Sequence, residues 1–120
     1  MVNKILVVDD SSFMRMTLKD ILKKAGYDVV GEAADCKAAM EKYKEVTPDL
    51  VTMDIVMPGD DGVKTLKELK KIDPNARILM VSALGQEALV MEAMGAGAKG
   101  YITKPFKPEN VLKEVEKSLK

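Results

Sequence analysis

The sequence predicts an α/β fold in which five parallel strands alternate with five helices that cover both faces of the sheet. Short apolar runs alternate strictly with longer stretches of helical spacing, and this alternation is typical of parallel sheets. The apolar runs are almost uninterrupted, as expected for strands that are buried on both faces. The chain has 120 residues, so we expect a single domain over residues 1–120.

Five short runs rich in aliphatic and aromatic residues are predicted to be the strands. They are Ile5 to Val8, Val29 to Ala33, Leu50 to Met53, Ile78 to Val81 and Tyr101 to Thr103. Each run is too short to be a typical helix, and each is followed by polar or small residues that favour a loop.

The stretches between and after these runs carry apolar residues at helical spacing. The apolar stripes are Met14, Leu18, Ile21, Leu22 and Ala25; Ala39, Tyr43 and Val46; Val63, Leu66, Leu69 and Ile72; and Val111, Val115 and Leu119. We expect Asp35 to cap the start of the second helix and Asp73-Pro74 to stop the third. Gly26, Gly95 and Gly97 follow helical stretches, where a left-handed residue commonly ends a helix.

The predicted helix from Gln86 to Met94 differs from the others, because its apolar residues spread around more than one face. One interpretation is a small alanine-rich helix with incidental surface methyl groups. The other is a surface that is left partly apolar for a partner.

Composition excludes several classes of site. Lys plus Arg and Asp plus Glu both number 19, so net charge offers no reason to expect a nucleic acid or an anionic membrane as partner. The absence of histidine removes Ser-His-Asp triads and most zinc sites. Cys36 is the only cysteine, so the chain has no internal disulfide. The sequence has no signal-peptide pattern and no apolar run of membrane-spanning length, so we expect a cytoplasmic protein.

Polar and charged residues stand where the predicted strands end. Asp9 and Asp10 follow the first strand, Asp54 the third, Ser82 the fourth and Lys104 the fifth. In parallel sheets these ends meet at one edge, where ligands bind. Each residue alone has an ordinary explanation as a helix cap, a turn residue or a surface lysine. Such roles explain one or two of these residues, but they poorly explain all five at one edge.

Three clustered carboxylates favour a magnesium site. Like charges that are packed together raise one another's pKa, and a bound hard cation relieves the repulsion. Oxygen ligands suit Mg²⁺, whereas zinc prefers nitrogen and sulfur ligands. A carboxylate can attack phosphorus and form an acyl phosphate. The transfer needs mainly positioning and charge neutralisation, for which the metal, Ser82 and Lys104 are available.

Direct binding of a phosphate or a nucleotide is the rival function for this fold class. It requires a loop of backbone donors, rich in Gly, Ser or Thr, after the first strand. This chain has two aspartates at that point, which would repel a bare phosphate, and it has neither a G-x-G-x-x-G motif nor a Walker-type lysine loop.

These motifs together resemble the receiver domains of two-component response regulators, and among them the CheY-like chemotaxis proteins. The matching segments are Val7-Val8-Asp9-Asp10, Ser12-Phe13-Met14-Arg15, Met53-Asp54-Ile55-Val56-Met57-Pro58 with Gly62, Val81-Ser82-Ala83, Gly97-Ala98 and Lys104-Pro105-Phe106. They extend from the first strand to the last helix. The resemblance implies a flavodoxin-like doubly wound (βα)5 fold, with a five-stranded parallel sheet of order 2-1-3-4-5 and helices on both faces.

The resemblance also implies a role for each metal-site residue. Asp54 corresponds to the phosphorylated aspartate, which is also a Mg²⁺ ligand. Asp10 corresponds to a direct Mg²⁺ ligand, and Asp9 to one that acts largely through water. The backbone carbonyl of Val56 is a further implied ligand. A valine side chain forms no hydrogen bond, so we expect no acceleration of dephosphorylation from position 56.

The resemblance implies catalytic and switch roles at the other strand ends. Ser82 corresponds to the switch hydroxyl and Lys104 to the phosphate-binding lysine, with a cis peptide before Pro105. Tyr101 corresponds to an aromatic residue that turns inward on activation. Its ordinary interpretation is a tyrosine in an edge strand.

The implied function is a phosphorylation-activated response regulator in chemotaxis. A CheA-like histidine kinase would phosphorylate Asp54, and the surface of the fourth helix, fifth strand and fifth helix would change its affinity for a flagellar motor switch protein or another target. A phosphatase is a further candidate partner. We expect a monomer that is not a multiple-turnover enzyme. Two alternatives stay open: a phosphorelay intermediate or phosphate sink, and a structural binding module without phosphotransfer.

Overall fold

Five parallel strands form one sheet in the computed structural model, which describes residues 2–57 and 60–120 apart from the side chain of Asp60. The strands are β1 (Lys4–Val8), β2 (Asp28–Ala33), β3 (Leu50–Asp54), β4 (Ile78–Ser82) and β5 (Gly100–Thr103). Their order is β2-β1-β3-β4-β5, which confirms the predicted topology. Val56–Met57 and Asp60–Asp61 form a short antiparallel pair after β3. Pro58, which belongs to one of the matching motifs, lies outside the described residues.

Five helices connect or follow these strands. They are α1 (Ser12–Lys24), α2 (Cys36–Val46), α3 (Gly62–Ile72), α4 (Glu87–Gly95) and α5 (Pro108–Leu119). Side chains cap the first three: Ser11 Oγ accepts from the N–H of Met14, and Asp35 and Asp61 cap α2 and α3 in the same way. The prediction that Asp35 is an N-cap is therefore confirmed. No helix in the described part of the chain combines the length and the apolar content needed to cross a membrane.

Two apolar clusters lie on opposite faces of the sheet. Residues of α2, α3 and α4 pack on one face with Leu6 and Val8, and residues of α1 and α5 pack on the other with Ile5 and Val7. The alternation along β1 follows from the two-residue period of a strand. All five residues of β3 and of β4 are buried. The two central strands are therefore covered by helices on both faces of the sheet.

A few details of the helices differ from the sequence prediction. Ile72 is 44% exposed, because the buried stripe of α3 ends one turn earlier, at Leu69. Ala25 is exposed and is the C-cap of α1 rather than part of its buried stripe. Gly95 is the last residue of α4, and the left-handed backbone after this helix is at Gly97, with φ 109°. A helix end is set by its last hydrogen-bonded turn, which residue spacing alone does not specify.

Candidate functional site

Asp54 is the last residue of β3 and lies in the middle of the sheet edge. It pairs in register with Val81 of β4, and the next residue, Ile55, donates its N–H to the Val81 carbonyl at 3.0 Å. Asp54 is only 6% exposed. The strand and its neighbours therefore hold this carboxylate in a fixed, largely buried position.

Three carboxylates meet at this edge. One carboxylate oxygen from each of Asp9, Asp10 and Asp54 lies within 4.8 Å of the other two. Asp9 is buried and Asp10 is exposed, so the cluster has a buried side and an open side. The structure thus brings together the three acidic residues that the sequence predicts as a group.

Lys104 supplies the positive charge within the cluster. Its Nζ lies 3.1 Å from Asp9 Oδ2 and 3.5 Å from Asp54 Oδ2. One ammonium among three carboxylates leaves two negative charges without a partner in the group (3 − 1 = 2). Burial and the neighbouring Asp9 carboxylate raise the pKa of Asp54 from 3.8 to about 6, although Lys104 lowers it. The carboxylates are therefore under repulsion that the lysine relieves only in part.

The donor set fits a divalent hard cation. All three side chains offer carboxylate oxygens, which are the ligands that Mg²⁺ prefers, and the excess of two negative charges equals the charge of such an ion. The open side at Asp10 leaves room for water or for a phosphoryl group. Asp9, Asp10 and Asp54 are thus the residues that could hold the metal.

The turn after β1 explains why the aspartates are available to this cluster. Ser11, not Asp9 or Asp10, caps α1 through its hydroxyl. Asp9 Oδ1 accepts a hydrogen bond from the N–H of Ser11 at 2.9 Å, while Oδ2 faces Lys104. From the sequence alone, one of the two aspartates or Ser11 could cap this helix, and the structure assigns the cap to Ser11.

Gly62 fits close behind Asp54. Its N–H donates to the Ile55 carbonyl at 2.7 Å. A Cβ on this residue would lie 2.0 Å from the Asp54 carbonyl oxygen and 2.8 Å from Ile55 Cα, both of them backbone atoms that cannot rotate away. Only glycine allows α3 to begin this close to the end of β3.

The remaining predicted residues lie around the cluster. Ser82 is buried at the end of β4, and its hydroxyl donates to the Ile102 carbonyl at 3.3 Å. Tyr101 lies in the edge strand β5 and is 47% exposed, so it faces outward in this structure. Val56 is also 47% exposed, two residues beyond Asp54. The peptide between Lys104 and Pro105 is cis, as the resemblance implied.

Sequence reasoning missed one residue beside the site. Arg15 Nη1 donates to the backbone carbonyl of Asp9 at 2.6 Å, and its Nε donates to Glu32 Oε1 at 2.7 Å. Arg15 was noted only as part of a matching motif. Its position at the end of the first turn of a helix that starts beside the aspartates is the sequence signal for this contact.

Comparisons with known proteins agree with this geometry. Residues 5–116 match the response regulator receiver domain family. The chemotaxis protein CheY of Thermotoga maritima is 56% identical over 114 residues, which are 95% of each chain. The chemotaxis protein CheY of Bacillus subtilis is 56% identical over 119 residues, 99% of each chain. A chain in the crystal structure of the CheX-CheY-BeF3-Mg+2 complex from Borrelia burgdorferi superposes with a TM-score of 0.89 at 41% identity, over 94% of this chain and 86% of that one.

Proposed function

Because the chain belongs to the response regulator receiver domain family and is of the CheY type, we propose that it is a phosphorylation-controlled signalling protein of chemotaxis. Asp54 accepts a phosphoryl group from a CheA-like histidine kinase in the cytoplasm, and residues 1–120 act as one receiver domain. The observation that carries the proposal is the cluster of three carboxylates within 4.8 Å, with Lys104 facing two of them. The protein is the acceptor in this reaction, not a multiple-turnover enzyme.

In the proposed reaction, a carboxylate oxygen of Asp54 attacks the phosphorus of a phosphohistidine. An O–P bond forms while the P–N bond breaks, and the bonding pair stays on the ring nitrogen. The imidazole leaves as a neutral group because its other nitrogen carries a proton. Attack requires the ionised carboxylate, and a pKa of about 6 leaves most of Asp54 ionised at neutral pH. Lys104 Nζ, 3.5 Å from Asp54 Oδ2, is suited to neutralise one phosphoryl oxygen.

A magnesium ion held by the acidic cluster would supply further positive charge to the phosphoryl oxygens. Asp10 and Asp54 are its proposed direct ligands, together with the backbone carbonyl of Val56, and Asp9 is proposed to act largely through water. The similarity to the CheX-CheY-BeF3-Mg+2 complex from Borrelia burgdorferi supports the choice of this cation.

Ser82 and Tyr101 are the proposed switch. The Ser82 hydroxyl has one proton, which it donates to the Ile102 carbonyl. Bonding to a phosphoryl group on Asp54 would require this donor to leave Ile102. Tyr101 precedes Ile102 in β5 and is half exposed. A shift of Ser82 would thus remove a hydrogen bond from β5, the strand that contains Tyr101.

The surface formed by α4, β5 and α5 is the proposed output surface. Leu84, Met91 and Tyr101 are 84%, 73% and 47% exposed, and they line a pocket of about 430 Å³ next to Ser82. Exposed apolar groups around a pocket favour a partner-binding surface over incidental methyl groups. This observation favours an output regulator, with a flagellar motor switch protein as the proposed target, over a phosphate sink.

The acceptor is tested with acetyl phosphate and Mg²⁺, followed by intact-protein mass spectrometry and peptide mapping. We expect the mass of one phosphoryl group on Asp54 and none on the Asp54→Asn protein. Asp28→Asn is the matched control, because it removes an exposed carboxylate at the start of β2. Label on another residue, or equal label on Asp54→Asn, contradicts the proposal.

The output is tested by pull-down with a peptide from a flagellar motor switch protein, with and without beryllofluoride and Mg²⁺. We expect stronger capture of the beryllofluoride-treated protein and a loss of that gain in Met91→Ser. Met16→Ser is the control, since Met16 is 67% exposed but lies on α1. Phosphorylation of Asp54 with no gain in capture would favour the relay or sink. Absence of both would favour a structural module.

A further inference from the structure

Arg15 links the acidic turn to the neighbouring strand. It lies on α1, and its side chain is 17% exposed. One nitrogen of its guanidinium donates to the Asp9 carbonyl at 2.6 Å, and another donates to Glu32 of β2 at 2.7 Å. Lys19, one turn further along α1, pairs with the same glutamate through the other carboxylate oxygen. The planar guanidinium of arginine presents donors in a fixed geometry, so two of its nitrogens reach the two partners at once.

These contacts fix the backbone of Asp9 on both sides. Its N–H donates to the Ala33 carbonyl at 3.0 Å, and its carbonyl accepts from Arg15. The Asp9 carbonyl lies in the peptide plane that it shares with the N–H of Asp10. The hydrogen bond from Arg15 therefore orients the plane that joins the two aspartates.

Asp10 depends on this orientation more than Asp9 does. The Asp9 carboxylate is buried and is held by the N–H of Ser11 and by Lys104. The Asp10 side chain is exposed, so packing does not set its direction. The backbone fixes the Cα–Cβ bond from which this carboxylate projects, and one of its oxygens lies within 4.8 Å of those of Asp9 and Asp54.

We propose that Arg15 is a positioning residue for the cation site, because it holds the peptide plane between Asp9 and Asp10 and thereby aims the Asp10 carboxylate at Asp54. This inference rests on the proposed function in one respect, namely that the cluster binds a divalent cation. The competing explanation is an ion pair between α1 and β2 that only stabilises the fold. Lys19 makes such a pair with Glu32 but has no contact with Asp9 among its hydrogen bonds.

The loss of the Arg15 charge and the loss of its positioning role would change cation affinity in opposite directions. Removal of a positive charge beside the cluster would, by Coulomb attraction alone, strengthen the binding of a cation. Loss of positioning would weaken it. A weaker cation affinity in Arg15→Ala therefore cannot come from the lost charge.

Isothermal titration calorimetry with Mg²⁺ tests the proposal on the full chain. We expect Arg15→Ala to lower Mg²⁺ affinity roughly tenfold, the size typical for groups that orient metal ligands. Arg15→Lys, which can still donate to the carbonyl, recovers part of the loss. Lys19→Ala, the matched control, loses an ion pair to the same glutamate and should bind Mg²⁺ as the unaltered protein does. Unchanged affinity in Arg15→Ala, or an equal loss in Lys19→Ala, overturns the proposal.

A measurement without metal separates this inference from the proposed function. In ¹H–¹⁵N spectra of the metal-free protein, Arg15→Ala should shift the amide signals of Asp10 and Ser11, and Lys19→Ala should leave them in place. Urea unfolding of both variants accounts for any general loss of stability. If the unaltered protein binds no Mg²⁺, the proposed cation site fails, and the amide signals still decide whether Arg15 orients the turn. Unshifted signals in Arg15→Ala overturn the positioning role.

Discussion

Lys104 Nζ lies 3.1 Å from Asp9 Oδ2, although 95 positions of the chain separate the two residues. The contact brings the loop after β5 to the loop after β1, across the ends of β3 and β4, which lie between these strands in the sheet. It neutralises one of three carboxylates, and the pKa of Asp54 remains raised to about 6. The metal-free site therefore keeps an electrostatic cost, and that cost can be measured.

Replacement of Lys104 should change stability and cation affinity in opposite directions. Among the ion pairs of the described residues, Lys104 supplies the only ammonium at the cluster of three carboxylates. Lys104→Met removes it. We expect the metal-free protein to lose about 2 kcal/mol of unfolding free energy at neutral pH, because a largely buried carboxylate loses its partner. We expect tighter Mg²⁺ binding, because a competing cation is gone.

Urea unfolding and calorimetry measure the two effects, and Lys104→Arg, which keeps the charge, should show neither. A Lys104→Met protein of unchanged stability contradicts this reading.

Asp54→Asn should stabilise the metal-free protein at neutral pH but not in acid. The pKa of Asp54 is raised from 3.8 to about 6 in the folded state. Well below about pH 4 the group is protonated in both folded and unfolded chains, so its burial carries no charge cost. Between about pH 4 and pH 6 the unfolded carboxyl is ionised while the folded one keeps its proton, so stability falls as the pH rises, and the loss levels off above about pH 6. At pH 8 we expect a gain of about 2 kcal/mol for Asp54→Asn.

Urea unfolding between about pH 4 and pH 8 measures this difference. Asp28→Asn, at an exposed site, should give a difference from the unaltered protein that does not grow with pH. If the advantage of Asp54→Asn were constant over this range, or larger in acid, the raised pKa would not be its cause.

Gly62→Ala should be strongly destabilising. The new Cβ would meet the Asp54 carbonyl oxygen at 2.0 Å, so α3 would have to move away from the end of β3. We expect a loss of about 3 kcal/mol in unfolding free energy, at the upper end for overpacking, together with weaker phosphorylation of Asp54. Gly95→Ala is the control, because nothing lies within 4 Å of its added Cβ and the residue is helical. Equal stability of the two variants would falsify the steric account.

Val56→Asn should shorten the lifetime of phosphorylated Asp54. Val56 is 47% exposed beside the site, and its side chain neither donates nor accepts a hydrogen bond. An amide at this position could orient a water molecule for attack on the phosphoryl group, so we expect decay to be several-fold faster. Decay of labelled protein after removal of acetyl phosphate gives the rate. Val56→Ala should decay like the unaltered protein, and indistinguishable rates for Val56→Asn would rule out a role for this position.

Residue spacing was sufficient to predict most of the strands and helices, because it depends on local structure. The two-residue and helical periods placed all five strands and five helices within a few residues of their observed ends. The exceptions lie at helix ends. Ile72 continues the helical spacing of α3 but extends beyond its buried stripe, and Gly95 lies two residues before Gly97, the left-handed residue. Whether a residue at the end of a helix is buried depends on what packs beside it, and the spacing does not contain that information.

The sequence by itself determined which residues stand at the carboxyl ends of the strands, because side-chain periodicity shows where a buried strand stops. It therefore identified Asp9, Asp10, Asp54, Ser82 and Lys104 as one group. Only the tertiary structure decided how members of this group are arranged: that Lys104 faces two carboxylates, that the Ser82 hydroxyl bonds to Ile102, and that Arg15 holds the Asp9 carbonyl. These contacts join residues that are distant in the chain or that belong to different elements. Their distances depend on how helices and strands pack, which no local pattern encodes.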